Sequence, residues 1–249
     1  MNLSAEMVLI LSALVFGLRH GIDWDHIAAI TDITGSQDTR RQSLWLGSVY
    51  ALGHGTVVGS LGLLAVTLGA FLPRWIDGVM ERVVGATLLI LGVYVVYSLL
   101  KDRKNFKLRS RWMLIFEGVE RGYRWLMGRV TGIEMDQPIR QRNYGFISAY
   151  MVGVIHGIGA ETPTQVLLFI AASGAGGQAV GVVLVLIFLL GLLISNSIIT
   201  VMSTYGFLTA RKNTPALLVL GGLVAAFSLT VGAVFLFGQS GMLPAILGG

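Results

Sequence analysis

Long apolar runs separated by short polar segments make up most of this chain. The stretches 162–210 and 213–249 hold no charged residue, and each exceeds the roughly 20 residues that cross a bilayer as a helix. Barrel strands would instead alternate polar and apolar residues over short segments. The pattern therefore predicts an all-α integral membrane protein with about six transmembrane helices. Their expected spans are 6–31, 44–71, 79–100, 144–172, 178–203 and 214–238.

Basic residues are concentrated in alternate loops. Arg40 and Arg41 follow the first expected span, and Arg211 and Lys212 follow the fifth. Eleven of the 18 Lys and Arg lie in the loop after the third span. Loops rich in Lys and Arg stay on the cytoplasmic side of a membrane. We therefore expect both termini outside and a multi-pass protein of the cell membrane, namely the cytoplasmic membrane of a prokaryote.

Composition excludes several kinds of site. The net charge of +5 would suggest nucleic acid as the partner of a soluble protein, but these basic residues flank apolar spans, so anionic membrane lipid is the expected neighbour. The absence of cysteine excludes disulfides, zinc–thiolate sites and thiol nucleophiles. No G-x-x-x-x-G-K-[ST] run occurs, so we expect no ATP site in this chain. The first span lacks the basic region and cleavage site of a signal peptide, and we expect it to be retained.

The loop 101–143 contains a helical pattern of its own. Apolar side chains recur with helical spacing, and charged residues fill the positions between them. The apolar set is Trp112, Ile115, Phe116, Val119, Tyr123, Leu126, Met127 and Val130. This pattern predicts an amphipathic helix, either lying on the inner leaflet or packed against the base of the bundle.

The two halves of the chain resemble each other. The segment FGLRHGIDWD at 16–25 matches VGVIHGIGAE at 152–161, and GHGTVV after Leu52 loosely matches SNSIIT after Ile194. The aligned pairs are His20 with His156, Asp25 with Glu161, His26 with Thr162, and His54 with Asn196. Because each half has three spans, an odd number, the halves are predicted to be inverted three-helix repeats. Their expected bounds are 1–100 and 144–249, joined by the loop 101–143.

All four histidines lie inside expected spans. A single histidine in a membrane helix more often forms a helix–helix hydrogen bond than a metal site. Four histidines near acidic residues favour a metal site, because imidazole and carboxylate bind first-row divalent ions. The candidate ligands of the first half are His20, Asp25, His26 and His54, and a possible second half-site contains His156 and Glu161.

The first span can bring its ligands together only if its helix is interrupted. At about 100° per residue, His20, Asp23 and His26 share an arc of about 120°, while Asp25 points away from it. Unwinding at Gly21 would give His20, Asp25 and His26 a common focus.

Asp23 has an expected partner elsewhere. Arg19 precedes it by four residues, which is the spacing of a helical ion pair. We expect the two charges to neutralise each other inside the membrane.

The fourth span combines polar groups with a helix breaker. Within HGIGAETPTQ, Pro163 lacks the N–H that continues a helix, and irregular backbone at membrane depth is tolerated where it lines a cavity. We expect His156 and Glu161 to line such a cavity. The alternative is a simple proline kink, with Glu161 protonated or hydrogen-bonded by Thr164 or Gln165.

Three motifs resemble those of the nickel/cobalt transporter family. RHGIDWDHIAAITD is similar to the family's helix bearing His, four residues and then Asp-His. LGHGTVV resembles its Leu-Gly-His-Ser motif, and GIGAETPTQ resembles Gly-Leu-Gly-Phe-Asp-Thr-Ala-Thr-Glu. The resemblance implies transport of Ni²⁺ or Co²⁺ as substrate, with no cofactor, and favours uptake over efflux. It places at the metal His20, Asp25, His26 and His54.

Departures from those motifs predict a divergent, short member of the family. Glu161 stands where the family has Asp, and Gln165 stands where it has Glu. His156 replaces a usually apolar residue, and Asn196 occupies a place where a later family segment often has Asp. The pattern predicts no particular oligomeric state.

Other function classes fit parts of the pattern. An intramembrane metalloenzyme of the protease type would be expected to carry H-E-x-x-H, which this sequence lacks. A transporter of another small ion, with the histidines as a proton relay, would usually have Lys or Arg at its site, and only Arg19 qualifies. A metal sensor would need a signalling domain, for which the loop 101–143 is too short. The sequence therefore favours a metal transporter over an enzyme.

Overall fold

Helices account for nearly all of the part of the chain that the structure describes. A computed structural model describes residues 3–68, 75–101, 110–131, 144–158 and 177–243. Within these ranges there are eight α-helices, one short 3₁₀ helix and no strand. The α-helices are α1 Leu3–His20, α2 Trp24–Gly35, α3 Arg40–Leu68, α4 Trp75–Lys101, α5 Arg111–Thr131, α6 Phe146–Ile158, α7 Gln178–Ala210 and α8 Thr214–Leu236, and the 3₁₀ helix is Ser240–Met242.

Several of these helices are long and apolar enough to cross a membrane, so the chain is a multi-pass membrane protein. They are Arg40–Leu68, Gly78–Lys101, Gln178–Ala210 and Thr214–Leu236. Glu6–His20 and Trp24–Gly35, which are bent by 54° at a short break, meet the same criterion of length and hydropathy when they are taken together. Only the first half of the expected span 144–172 is described, as the 13-residue helix α6. The expected six spans are therefore matched in part.

Three helix pairs form the bundle, and each pair joins one half of the chain to the other. α1 packs on α7, α3 on α6, and α4 on α8, while α3 also packs along α7. The pairs approach closely because glycines from both helices lie at each crossing. These glycines are Gly17 and Gly191, Gly53 and Gly153, and Gly85 and Gly232. A Cβ atom on Gly53, for example, would lie 2.3 Å from the carbonyl oxygen of Tyr150, so small residues allow backbone-to-backbone contact.

The loops after α2 and α7 lie at the same end of the bundle. The guanidinium of Arg211 donates to the carbonyl oxygens of Gly35 (2.7 Å) and Gln37 (2.6 Å), and it pairs with Asp38 at 3.1 Å. The guanidinium of Arg40 lies 4.5 Å from the ring centroid of Tyr205. Two of the basic segments that the sequence assigned to one side of the membrane are thus neighbours in space.

The amphipathic helix predicted in the loop 101–143 is present as α5, and its start is fixed at this same end. The buried carboxylate of Asp32, near the end of α2, accepts hydrogen bonds from Ser110 and Tyr144, each at 3.0 Å. Met113 on the first turn of α5 joins a hydrophobic cluster with Ile33. The polar contact and the apolar contact together hold α5 beside α2.

The α4–α8 crossing provides a test of the close glycine packing. In Gly85→Ala the new Cβ would lie 2.3 Å from the backbone nitrogen of Leu236. We expect a lower melting temperature in detergent, because overpacking of this kind costs about 1–3 kcal/mol. The matched control is Gly222→Ala on α8, whose Cβ would meet no described atom within 4 Å. The control should melt at the wild-type temperature or above it, and an equal loss in both variants would contradict the packing argument.

Candidate metal centre

The first expected span is broken at the residues that carry the candidate ligands. α1 ends at His20 and α2 begins at Trp24, with Gly21 in the intervening turn. A Cβ on Gly21 would lie 2.0 Å from Ser195 Oγ on α7, so only glycine allows the turn to pack this closely. The single helix expected over 6–31 is therefore wrong as a continuous element, and the unwinding considered at Gly21 is present.

The break directs two imidazoles toward a third one on α3. His54 Nε2 lies 3.3 Å from His20 Nε2 and 3.1 Å from His26 Nε2. All three side chains are buried. Ligand bonds of roughly 2.0–2.1 Å at octahedral or tetrahedral angles put donor nitrogens about 2.8–3.4 Å apart. Both distances to His54 Nε2 lie in this range, and the donor atoms of all three residues lie within 4.8 Å of one another.

Asp25 contacts the Nδ1 side of the His26 ring, whereas the Nε2 side of that ring faces His54. Its Oδ1 accepts from the His26 backbone N–H at 2.9 Å and lies 3.0 Å from His26 Nδ1. Because an Nδ1–H that donates to a carboxylate leaves the lone pair on Nε2, this contact sets the tautomer that faces His54. The common focus of His20, Asp25 and His26 expected from the sequence is replaced by two groups that share His26.

His156 completes the second of these groups from the other half of the chain. Its Nε2 lies 3.0 Å from Asp25 Oδ2, and its ring centroid is 5.2 Å from that of His26. The donor atoms of Asp25, His26 and His156 lie within 4.8 Å of one another, as do those of His20, His26 and His54. All four histidines predicted from the sequence therefore meet at one place.

Asp23 has a different neighbour from the one expected. Its Oδ2 lies 4.0 Å from His20 Nδ1, and the structure records no ion pair between Asp23 and Arg19, both of which are described. The four-residue spacing does not put the two side chains on one helix face, because the helix ends at His20, between them in the sequence. The carboxylate of Asp23 lies instead at the edge of the histidine cluster.

Several candidates in the second half lie outside the described residues. These are Glu161, Thr162, Gln165 and the predicted break at Pro163. Asn196 is described, and it is fully buried on α7 beside the turn at Gly21, with its Oδ1 3.0 Å from where a Cβ on that glycine would be. Neither polar atom of the Asn196 side chain has a hydrogen-bond partner among the described residues.

Two aromatic residues that sequence reasoning missed hold the imidazoles in place. The ring of Tyr50 stacks on His54 at 6.2 Å between centroids and 24° between planes. The ring of Phe188 on α7 lies 5.6 Å from that of His20. Tyr50 precedes His54 by four residues on α3, so helical spacing was a signal for this contact. No local signal linked Phe188 to His20, because the contact depends on the packing of α7.

The chain matches a known family over nearly its whole length. Residues 6–242 match the family NicO, described as high-affinity nickel-transport protein. The chain belongs to this family. The expected resemblance to nickel/cobalt transporters is thereby confirmed. No solved structure matches the chain.

Curated relatives of this NicO member carry names for nickel and for cobalt. It is 28% identical over 225 residues to the high-affinity nickel transport protein of Cryptococcus neoformans, covering 83% of this chain and 46% of that protein. It is 30% identical over 191 residues to the cobalt transport protein NhlF of Rhodococcus rhodochrous, covering 70% and 52% respectively. The hydrogenase nickel incorporation protein HupN of Bradyrhizobium diazoefficiens is 31% identical over 191 residues, covering 70% and 47%. The chain spans about half the length of the curated relatives it matches.

The close approach at Gly21 yields a prediction about the centre's packing. Gly21→Ala would force the new Cβ against Ser195 Oγ, and we expect a lower melting temperature in detergent. Adding Ser195→Ala removes that oxygen and should recover part of the loss, because Asn196 Oδ1 and the Leu192 carbonyl, each at 3.0 Å, remain close. A double variant that melts no higher than Gly21→Ala would show that the turn does not pack on Ser195 as described.

Proposed function

We propose that this protein carries Ni²⁺ or Co²⁺ across the membrane through a site formed by His20, His26 and His54. The observation that carries the proposal is the convergence of three buried Nε2 atoms, with His54 Nε2 at 3.3 and 3.1 Å from the other two. Imidazole without thiolate suits borderline divalent ions such as Ni²⁺ and Co²⁺. Three ligands leave further coordination positions for water, so an ion can enter and leave by ligand exchange.

The group of three imidazoles fits an ion better than the group that contains Asp25 and His156. Both oxygens of Asp25 already contact imidazole nitrogens, at 3.0 Å each. A carboxylate that accepts from the far nitrogen of a metal-binding histidine orients the ring and raises its basicity. We therefore assign Asp25 to orienting His26, and His156 to holding Asp25. In this arrangement Asp25 also supplies the negative charge that a buried divalent ion requires nearby.

Transport is favoured over catalysis and over a simple proton relay. The matched family and the three relatives reported above are named for the transport or incorporation of a metal. None of these names describes an enzymatic activity of that protein. Three buried imidazoles whose donor atoms lie within 4.8 Å of one another can each direct one nitrogen lone pair to a single cation. A proton relay through Asp25 would not require this clustering.

We further propose that the bundle consists of two inverted repeats, 1–100 and 144–249, with six spans in all. Such a repeat equates the first span with the fourth, the second with the fifth and the third with the sixth. Under this symmetry the α1–α7 pair corresponds to the α6–α3 pair, and the α4–α8 pair corresponds to itself. The observed helix pairing is consistent with this operation.

The glycine contacts suggest the register of the repeat. A Cβ on Gly17 would meet the Phe188 carbonyl, and a Cβ on Gly153 would meet the Tyr50 carbonyl. These matching contacts equate Gly17 with Gly153 and Gly191 with Gly53. This register differs by one helical turn from the sequence match that set His54 over Asn196. In neither register does a histidine of α7 correspond to His54, so we propose that the metal centre is asymmetric.

We propose that the end of the bundle bearing Arg40 and Arg211 faces the cytoplasm, as the positive-inside rule requires. At that end α5 presents an exposed apolar stripe made by Val119, Tyr123 and Leu126. Arginines flank the stripe, and such a helix suits the surface of an anionic leaflet. Membrane lipid is accordingly the proposed neighbour of α5.

Metal binding by purified variants tests the choice between the two ligand groups. We expect His20→Ala, His26→Ala and His54→Ala each to abolish measurable Ni²⁺ binding in calorimetry, because each removes a direct ligand. Asp25→Asn should weaken binding by about 10–100-fold, the usual effect of losing a partner of a ligand. His156→Gln, which keeps a donor toward Asp25, should weaken it less.

The reverse order would overturn this assignment. If His54→Ala bound Ni²⁺ normally while His156→Gln abolished binding, the ion would belong to Asp25, His26 and His156. Normal binding by all the variants would remove the proposed site altogether. Transport by the same variants in cells should follow the order of their affinities.

Thiol labelling tests the orientation, because the chain has no cysteine of its own. Asp38→Cys lies in the exposed turn beside Arg211, and Gln178→Cys lies at the far end of α7. We expect a membrane-impermeant maleimide to label the Gln178 variant in intact cells and the Asp38 variant only after the cells are opened. The opposite pattern would reverse the proposed topology.

A further inference from the structure

Between the histidine cluster and its Arg211 end, α7 carries a row of polar side chains that have no role in the proposed site. Asn196, Thr200 and Thr204 are spaced by four residues and so lie on one face of the helix. Their exposed fractions are 0%, 2% and 0%. The amide atoms of Asn196 and the hydroxyls of both threonines have no hydrogen-bond partner among the described residues.

These two threonines behave differently from others in the described helices. Many helical hydroxyls here donate to a carbonyl oxygen three or four residues earlier, which satisfies them within their own helix. Examples are Thr34, Thr56, Thr67 and Thr87. The Thr200 and Thr204 hydroxyls have no such bond. A buried hydroxyl without a partner costs free energy, so this row of groups needs a reason other than stability.

The row runs from the histidine cluster toward the end of the bundle that bears Arg211. Asn196 lies against the turn at Gly21, next to His20, and Thr200 lies against Gly47 of α3. Thr204 follows Ser203, whose hydroxyl bonds to Thr34 at 2.7 Å in the last turn of α2. Eight residues of helix cover about 12 Å, which is most of the half-thickness of a bilayer core of about 30 Å.

We propose that Asn196, Thr200 and Thr204 line the path by which the ion passes between the histidine site and the Arg211 end of the bundle. This inference rests on the proposed function of the histidine site. Amide and hydroxyl oxygens can replace some of the water around a divalent ion as it moves. Because they carry no formal charge, they hold the ion weakly and do not compete with the three imidazoles. The side chains are closed off in this structure, so the path opens when water or the ion separates α7 from α2 and α3.

The first test removes the hydroxyls while keeping the shape of the side chains. In Thr200→Val with Thr204→Val we expect ⁶³Ni²⁺ transport at least about tenfold slower than wild type, with calorimetric Ni²⁺ affinity within about twofold. The matched control is Thr87→Val on α4, which removes a buried hydroxyl bonded to the Val84 carbonyl away from the proposed path. The control should transport at the wild-type rate. Wild-type transport by the double variant would overturn the path.

The second test probes access of water to the row during transport. In the cysteine-free chain, Thr200→Cys and Thr204→Cys should react with a charged methanethiosulfonate reagent added from the Arg211 side. Met202→Cys is the control on the same helix, because Met202 is 70% exposed and lies on the opposite face of α7 from Thr200 and Thr204. We expect both threonine positions to react at least about tenfold faster than the control. Reaction no faster than at Met202 would overturn the path.

The two proposals fail in different ways. If the histidine variants keep Ni²⁺ binding, the proposed site is wrong whatever the threonine variants do. If the histidine variants lose binding while Thr200→Val with Thr204→Val transports normally, the site stands and the path is wrong. A loss of binding in the double valine variant would also overturn the path, because the threonines would then act on the site itself.

Discussion

The structure depends on one constraint: polar groups buried in an apolar bundle must satisfy one another. His20, His26, His54 and Asp25 are all nearly inaccessible to solvent, and water cannot solvate them in the membrane. They therefore form a connected network, in which Asp25 joins His26 to His156 and His54 faces two other imidazoles. In the proposed function a cation completes this network, so that one arrangement would meet a requirement of the fold and also bind the ion.

The network exists because the backbone is allowed to come unusually close. The break at Gly21 rotates His26 away from the axis of α1 by the 54° bend, and glycines at the helix crossings let α3 and α7 approach it. A larger residue at Gly21, Gly53 or Gly153 would collide with a neighbouring helix. Small residues are thus as much a part of the centre as the histidines, although they bind nothing.

The proposals assign capture and passage of the ion to different chemistry on neighbouring helices. Strong nitrogen donors with a supporting carboxylate lie at the bend between α1 and α2, and neutral oxygen groups follow along α7. A site that binds tightly must hand its ion to weaker groups if the ion is to leave.

The sequence by itself determined the membrane class, most helix positions and the four histidines, because apolar runs and charges are local signals. The span over 178–203, for example, is observed as α7 with the same first residue, Gln178. What only the tertiary structure decided is which atoms face each other. The structure places Asp25 against His26 and His156, and it places Asp23 near His20 rather than Arg19, because a 54° bend invalidates the angles of a continuous helix. The contacts of Phe188, Thr200 and Thr204 also depend on how α7 packs against distant segments, and no periodicity within α7 encodes the position of those partners.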